Sequence, residues 1–331
     1  MKMVGMTTND IDVLGIGNAI VDVLAQAGDD FVAGRGLVKG SMTLVDWDQS
    51  EALYTAMPKG VEKSGGSGAN TIAGVAALGG KGAYIGKVHL DPLGETFRRD
   101  IQSLGVEYRT SANTAGPSTA RCLILVTPDA QRTMSTYLGA SGLLSPADVD
   151  QTLVSAAQIT YLEGYLFDAP DAKEAFRAAA AAAHAAGRRV SLSLSDSFCV
   201  QRYRADFLEL VRSHVDILFA NEAEIMALFE SDSFDAAAAA VRPLCSIAAL
   251  TRGEKGSVVL SGADTVSVPA APAQVVDTTG AGDLYASGFL YGLTHGRDLA
   301  SSGHLGSLCA AECISHLGAR PLSSLKPLLD R

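Results

Sequence analysis

The chain has 331 residues, of which 47% are hydrophobic and 34 are glycine, and its formal net charge is −10. This apolar content excludes an intrinsically disordered protein, and no run of about 18 uncharged apolar residues predicts a membrane span. The acidic balance disfavours nucleic-acid binding. Because the first residues show no secretory signal, we expect a cytoplasmic protein with neither a membrane nor a nucleic acid as its partner.

Short apolar runs alternate with longer amphipathic stretches along the chain. The apolar runs predict strands at 13–17, 83–86, 159–162, 190–194, 217–220 and 248–251. The amphipathic stretches predict helices at 70–78, 91–104, 171–186, 207–214 and 221–229. Such alternation favours an α/β fold, in which a mostly parallel sheet has helices on both faces.

Two regions, 18–46 and 116–140, interrupt this pattern with strands and turns but no helix. The second contains a predicted hairpin, 121–127 with 132–138. We expect the two regions to pair into a small accessory sheet, a discontinuous lid at about 18–48 and 116–140 over the carboxyl edge of the main sheet. A later hairpin, 257–260 with 266–268, is expected to extend that main sheet.

A glycine-containing segment, VDTTGAGD at 276–283, precedes a predicted helix at 284–293. Gly280 and Gly282 leave the backbone N–H groups at the helix start uncovered, and such groups bind anions. Asp283 in the first turn could accept a proton from an attacking hydroxyl group, as phosphoryl transfer requires. An ordinary helix start with an acidic residue explains the segment alone equally well.

A second glycine-rich segment, SGGSGANT at 64–71, also leads into a helix. Its glycines allow a ligand to approach the backbone, and Asn70 offers both a donor and an acceptor to hydroxyl groups; a flexible loop is the alternative. The usual nucleotide motifs fail, because the chain has no GxxxxGK[ST] sequence and Ile20 replaces the third glycine of a dinucleotide fingerprint.

Together the two segments resemble the signatures of the PfkB (ribokinase-like) family of carbohydrate and nucleoside kinases. GGSGAN at 65–70 is similar to the first signature and DTTGAGD at 277–283 to the second. Four further motifs resemble the family in its order along residues 10–325: GNAIVD at 17–22, NEAE at 221–224, TRGEKG at 251–256 and GARP at 318–321. The resemblance implies a single ribokinase-like domain over 1–331, with a three-layer α/β core, a mostly parallel sheet and a small β-sheet lid.

The resemblance also implies roles for individual residues. Asp283 would be the catalytic base, beside an anion hole formed by Gly280, Ala281 and Gly282. The acceptor would be bound by Asp22, Gly65, Gly66 and Asn70. ATP would be bound by Arg132, Asn221, Thr251, Gly253 and Gly256. Asn221 and Glu224 would organise Mg²⁺ mostly through water, and Asp277 and Thr279 match a K⁺ site.

The acceptor is less clear from the sequence. Three segments, SLSDSF at 193–198, QRTM at 131–134 and EGY at 163–165, resemble the adenosine-kinase-like branch of the family. This resemblance implies a purine pocket formed by Phe198, Met134 and Tyr165. For Met134 and Phe198, ordinary core packing is the alternative. We therefore predict transfer of the γ-phosphoryl group of ATP to the 5′-hydroxyl of adenosine.

Two other functions stay open. A sugar kinase acting on ribose, fructose or a related ketose would share the catalytic residues, and the Glu163 carboxylate favours it. An inactive nucleotide-binding regulator is the more distant alternative. The protein is expected to be a monomer or a homodimer, and two lids could pair if the lid has an apolar outer face.

Overall fold

The computed structural model describes residues 11–129 and 131–331. Its strands are β1 Ile11–Ile16, β2 Ile20–Gln26, β3 Met42–Leu44, β4 Val61–Gly65, β5 Gly82–Ile85, β6 Glu107–Tyr108, β7 Ala120–Val126, β8 Arg132–Tyr137, β9 Ala157–Glu163, β10 Arg189–Ser193, β11 Ile217–Asn221, β12 Ile247–Thr251, β13 Ser257–Ser261 and β14 Asp264–Val268. Its α-helices are α1 Asp29–Gly34, α2 Trp47–Ala56, α3 Ser67–Ala77, α4 Pro92–Ser103, α5 Gln151–Ala156, α6 Pro170–Ala185, α7 Ser197–Arg202, α8 Arg204–Ser213, α9 Glu222–Phe229, α10 Phe234–Val241, α11 Ala281–Thr294 and α12 Leu299–Cys313.

The larger sheet has nine strands in the order β14-β13-β12-β11-β10-β9-β1-β5-β6. The strands from β12 to β6 are parallel, and β13 and β14 add the antiparallel hairpin predicted at one edge. Every residue of β1 is buried, as expected of a strand with helices on both faces. The predicted fold class and the six predicted core strands are confirmed.

Side chains leave the larger sheet alternately toward two apolar layers. Leu14 and Ile16 belong to the layer that contains residues of α5, α6, α8, α9 and α10. Val13 belongs to the opposite layer, which includes residues of α3, α4 and α11. This alternation has the two-residue period of a strand and produces a three-layer core. Among the described residues, no helix has the length and apolar character that a bilayer crossing requires.

The smaller sheet has five strands in the order β3-β8-β7-β2-β4. One face contributes Val21, Val23 and Leu123 to the core, and residues of α1 and α2 pack into the same cluster. The opposite face carries side chains that line the main cavity. Pairing of two lids depends on an exposed apolar outer face. The first face is instead covered by α1 and α2, so it does not provide such a surface.

The smaller sheet departs from the sequence prediction in two places. The region 18–46 contains α1, where Asp29 and Asp30 occupy the first turn and favour helix through the dipole. The strand β4 lies outside both predicted lid ranges, although it pairs antiparallel with β2. Its first three residues are exposed and its sequence VEKSG lacks an apolar alternation, so the sequence pattern did not predict it.

Candidate active site

A cavity of about 690 Å³ lies between the smaller sheet and the carboxyl ends of β9, β10, β11 and β12. It brings together most of the residues that the sequence motifs predict. These lining residues are Asp22, Gly66, Asn70, Arg132, Met134, Tyr165, Asn221, Glu224, Thr251, Gly253, Thr279, Gly280, Ala281, Gly282 and Asp283. Residues distant in sequence therefore share one concave site, the usual form of a small-molecule site.

The first turn of α11 faces this cavity. Gly280 precedes the helix with a φ of 78°, and a Cβ atom there would lie 2.7 Å from Ala319 Cα, so only glycine fits. No side chain among the described residues caps this helix. The Ala281 N–H is already used within the turn, where it donates to the Thr278 carbonyl oxygen at 3.2 Å. The predicted anion hole therefore rests on the neighbouring N–H groups and on the positive potential of the helix dipole at this end. The arrangement suits an anion.

Asp283 is partly buried at the start of α11 and receives two side-chain donors from α3. Ser67 Oγ donates to Asp283 Oδ1 at 2.6 Å, and Asn70 Nδ2 donates to Oδ2 at 3.3 Å. Burial raises the pKa of Asp283 to about 6, while these two donors and the Arg320 charge oppose the rise. Such a carboxylate is ionised at neutral pH and can accept a proton from a nearby hydroxyl group.

Asp22 projects from β2 into the same cavity. Burial raises its pKa to about 6; the charges of Arg320 and Arg132 oppose this rise and Asp283 reinforces it. Gly65 is outside the lining, but a Cβ atom there would lie 2.3 Å from the Asp22 carboxyl group. Gly65 thus contributes by leaving space for the carboxylate. At Gly66, with a φ of 96°, a Cβ atom would meet the Asn18 carbonyl oxygen at 2.3 Å.

Glu163 is a third carboxylate in the cavity wall, and it is fully buried. It accepts hydrogen bonds from Asn18 Nδ2 at 2.8 Å, from the Asn18 N–H at 3.3 Å and from the Gly68 N–H at 2.7 Å. Burial raises its pKa to about 7, and these donors oppose the rise. Glu163 therefore fixes the start of α3, the helix that carries Ser67 and Asn70.

The other end of the cavity is formed where α9 begins. Asn221 and Glu224 make a reciprocal capping box, with Asn221 Nδ2 donating to Glu224 Oε1 at 2.6 Å and the Glu224 N–H donating to Asn221 Oδ1 at 2.9 Å. Burial raises the pKa of Glu224 to about 7. Gly256 departs from the prediction: it lies outside the lining and turns the chain with a φ of 81°, and a Cβ atom there would meet the Val268 carbonyl oxygen at 2.1 Å.

Arg132 of β8 forms a buried ion pair with Asp277, and so links the smaller sheet to the core. Asp277 Oδ1 also accepts from the Thr279 N–H and Oγ1, and Oδ2 accepts from the Gly318 N–H. Burial acts to raise the pKa of Asp277, but the donors from Gly318 and Thr279 and the Arg132 charge together lower it. Since four donors use both oxygens, Asp277 does not fit a K⁺ ligand in this structure.

The residues predicted to organise Mg²⁺, Asn221 and Glu224, do fit that ion. Among residues 11–129 and 131–331, no group of three or more His, Cys, Asp or Glu side chains is arranged to hold a metal ion. Asn221 and Glu224 line the cavity as hydrogen-bonded oxygen groups. They fit a hydrated Mg²⁺ held mainly by phosphate oxygens and water, the usual mode for this ion.

The cavity wall formed by the smaller sheet is mostly apolar, although Asp22, Arg132 and Thr136 also line it. Alternate residues of its strands face the cavity. Besides Cys122, the apolar ones are Ile20, Met42, Leu44, Ile124 and Met134, and Leu138 directly after β8 is the sixth. Only Met134 among them was predicted from the sequence. Strand alternation in MTL at 42–44 was a signal for Met42 and Leu44, but three residues alone do not define a strand.

Phe198 departs from the prediction of a base-stacking residue. It lies in the first turn of α7 with 74% of its surface exposed, outside the cavity lining. The next two residues, Cys199 and Val200, are the buried ones of this helix. Asp196 caps the helix by accepting from the Cys199 N–H at 2.6 Å, which sets Cys199 and Val200 toward the core and Phe198 toward solvent.

The sequence comparisons agree with this geometry. Residues 40–326 match the model of the pfkB family of carbohydrate kinases. The chain belongs to the PfkB family. It is 30% identical to adenosine kinase from Saccharomyces cerevisiae, over 92% of this chain and 94% of the relative.

Two solved PfkB-like structures are more similar still. The structure of adenosine kinase from Sinorhizobium meliloti is 52% identical, with a TM-score of 0.88, and covers 96% of this chain and 98% of its own. A probable sugar kinase from Rhizobium etli CFN 42 is 49% identical, with a TM-score of 0.89, and covers 97% of this chain and 98% of its own. This PfkB protein is a phosphotransferase that acts on an alcohol group, with a ribokinase-like fold of the adenosine-kinase-like branch.

Proposed function

We propose that the enzyme transfers the γ-phosphoryl group of ATP to the 5′-hydroxyl of adenosine. The observation that carries this proposal is the set of six apolar side chains that the smaller sheet contributes to the cavity that Asp22 and Asp283 also line. A free sugar has hydroxyl groups on nearly every carbon and gains little from six apolar side chains. A purine base has two large apolar faces, and burying them against such a wall is favourable.

The polar groups then set the orientation of the nucleoside. Asp22 would accept hydrogen bonds from the 2′- and 3′-hydroxyls of the ribose, with Gly66 and Asn70 beside it. Asp283 would accept the 5′-hydroxyl proton while the oxygen attacks the γ-phosphorus. Proton transfer of this kind contributes roughly 10²- to 10⁴-fold to the rate.

The phosphate groups would lie at the amino end of α11. The backbone at 280–282 would hold charge that develops on the transferred group, and removal of one such donor typically costs about 3–4 kcal/mol. Arg132 would contribute a positive charge from the smaller sheet, and Thr251 and Gly253 would contact the nucleotide. Magnesium, when bound near Asn221 and Glu224, neutralises phosphate charge.

We further propose one catalytic domain in which the smaller sheet acts as a lid, now including β4 as well as the ranges 18–48 and 116–140. The Arg132–Asp277 pair holds that sheet against the core. A closed lid would exclude water and limit ATP hydrolysis. The protein is expected to act in the cytoplasm.

A sugar kinase is the second candidate, because Glu163 places a carboxylate in the acceptor pocket and a relative from Rhizobium etli CFN 42 is called a probable sugar kinase. Thermal shift with adenosine, inosine, ribose and fructose separates the two. A ligand that binds only the folded state raises Tm by mass action. Adenosine alone, or adenosine with inosine, should raise Tm; a shift with fructose or ribose but not with adenosine would contradict the proposal.

A further inference from the structure

Arg320 reaches from the turn at 318–321 toward the start of α3. Its Nε donates to Asn70 Oδ1 at 2.8 Å, and its Nη1 donates to Ser64 Oγ at 2.7 Å. Nη1 also lies 3.4 Å from Asp100 Oδ2. Only 15% of the Arg320 side chain is exposed. The guanidinium is thus held by three different elements just behind the catalytic pocket.

The bond to Asn70 decides which way its amide points. A guanidinium group can only donate, so the Asn70 carbonyl oxygen must face Arg320. The Asn70 NH₂ group must then face Asp283, where it donates to Oδ2 at 3.3 Å. The opposite orientation would place an amide oxygen against a carboxylate oxygen and an NH₂ group against the guanidinium. Arg320 therefore selects the productive orientation.

Arg320 is itself fixed from α4. Asp100 Oδ2 accepts from the Ser64 N–H at 2.8 Å and from Ser64 Oγ at 2.5 Å, and it also faces Arg320. A chain of contacts thus runs from Asp100 through Arg320 and Asn70 to Asp283. No member except Asn70 and Asp283 lines the cavity in the described part of the chain, so the outer members act through their neighbours.

The charges around these groups are mixed. The titratable groups that face Arg320 are Asp22, Asp100, Asp283 and Tyr84. Those that face Asp22 are Arg320, Arg132, Asp283 and Cys122. Those that face Asp283, besides Asp22 and Arg320, are Glu163, Glu224, Tyr161, Tyr165 and Cys313. Burial raises the pKa of each tyrosine and cysteine here. The charge of Arg320 acts on both Asp22 and Asp283. Arg320 also lies 3.4 Å from Asp100, whereas Arg132 is paired with Asp277.

We propose that Arg320 is a positioning residue, which orients Asn70 onto Asp283 and provides the shared counter-charge for Asp22 and Asp283. This inference rests on the proposed function, in which Asp283 is the base. Arg320 would thus make two contributions, the orientation of Asn70 and the counter-charge, and different substitutions remove them. Arg320→Gln removes both the positive charge and the planar guanidinium with its several donors. Arg320→Lys keeps the positive charge but concentrates it on one ammonium group.

The test measures kcat and the pH dependence of kcat/KM for Arg320→Gln and Arg320→Lys, each with and without Asn70→Ala. Arg320→Gln should lower kcat about 5- to 50-fold, the range of coupled neighbours, and move the acid limb to higher pH, because loss of a cation favours the protonated carboxylates. Arg320→Lys should keep the acid limb at its wild-type pH, because the charge is retained, but its kcat should be nearly as low as that of Arg320→Gln. In the Asn70→Ala background the kcat effect of Arg320→Gln should largely vanish.

Arg297→Gln is the matched control, since Arg297 holds the carboxyl-terminal segment through the Leu329 carbonyl oxygen at 2.8 Å and should leave the acid limb unchanged. If Arg320→Gln does not fold, Arg320→Lys and Asp100→Asn are measured instead. Both are expected to have a lower kcat than the wild-type enzyme. An unmoved acid limb with wild-type kcat, or an equal kcat loss with and without Asn70, overturns the inference. Activity retained by Asp283→Asn would instead overturn the proposed function, independently of the results for the Arg320 variants.

Discussion

The two cavity carboxylates to which the proposed function gives the acceptor make a quantitative prediction about pH. Asp22 and Asp283 are both partly buried, and this burial raises the pKa of each to about 6. Both must be ionised for the proposed reaction, one to grip the ribose and one to accept the proton. At pH 7 each is about 90% ionised and at pH 5 about 9%, so the doubly ionised fraction falls about 100-fold between these values.

The assay measures kcat/KM for adenosine from pH 5 to pH 8. The slope of log(kcat/KM) against pH is then taken at the acid end of this range. Because the two groups interact, the apparent values belong to the pair, and the slope should approach two. Asp22→Asn should reduce that slope to one. Glu163 and Glu224 also have pKa values of about 7, so Glu163→Gln and Glu224→Gln serve as controls that should keep the slope of two.

A slope of one or less in the wild-type enzyme, or an acid limb that begins below pH 4, would refute the reasoning. Either result would mean that one of the two carboxylates need not be ionised, or that burial does not raise its pKa. An acid limb lost in Glu163→Gln would assign the titration to Glu163 instead.

Three further predictions concern single positions. Asp283→Asn should nearly abolish turnover while nucleotide binding by calorimetry stays intact; more than about a tenth of the wild-type kcat would remove Asp283 from the role of base. Gly280→Ala should lower the free energy of unfolding by about 1–3 kcal/mol, since its φ is 78° and its Cβ would lie 2.7 Å from neighbouring backbone, whereas Gly282→Ala meets no described atom within 4 Å and should not. Met134→Ala should raise KM for adenosine about tenfold with kcat nearly unchanged, and the exposed Phe198→Ala should change neither; equal effects of the two would contradict the apolar-wall interpretation.

The core of the fold could be predicted from the sequence because buried parallel strands carry continuous apolar runs. The run at 13–17 is such a case, since every residue of β1 is buried. The edge strand β4 has three exposed residues and no apolar run, and α1 has only six residues. Neither leaves a periodic signal of sufficient length, so both were missed.

The glycine motifs predicted the residues at the Asp283 end of the cavity for a related reason. Gly280 and Gly66 have positive φ values and meet backbone at short distance, so the motif records a local constraint. The acceptor end depends on pairs that are far apart in sequence. β3 pairs with β8 across about ninety residues, and Ser67 meets Asp283 across 216. Local patterns carry little of that information, and this explains why Phe198 was predicted in place of Met42 and Leu44.

The most direct test of the proposed function is the identity of the phosphorylated product. The enzyme is incubated with ATP, Mg²⁺ and adenosine, ribose or fructose at equal concentration, and the products are followed by ³¹P NMR and ADP release. The account predicts a 5′-phosphate ester on adenosine, with kcat/KM for adenosine at least about 100-fold above that for either sugar, as expected when burial of a base adds some 3 kcal/mol. Sugar phosphate formation with no nucleoside product would contradict it.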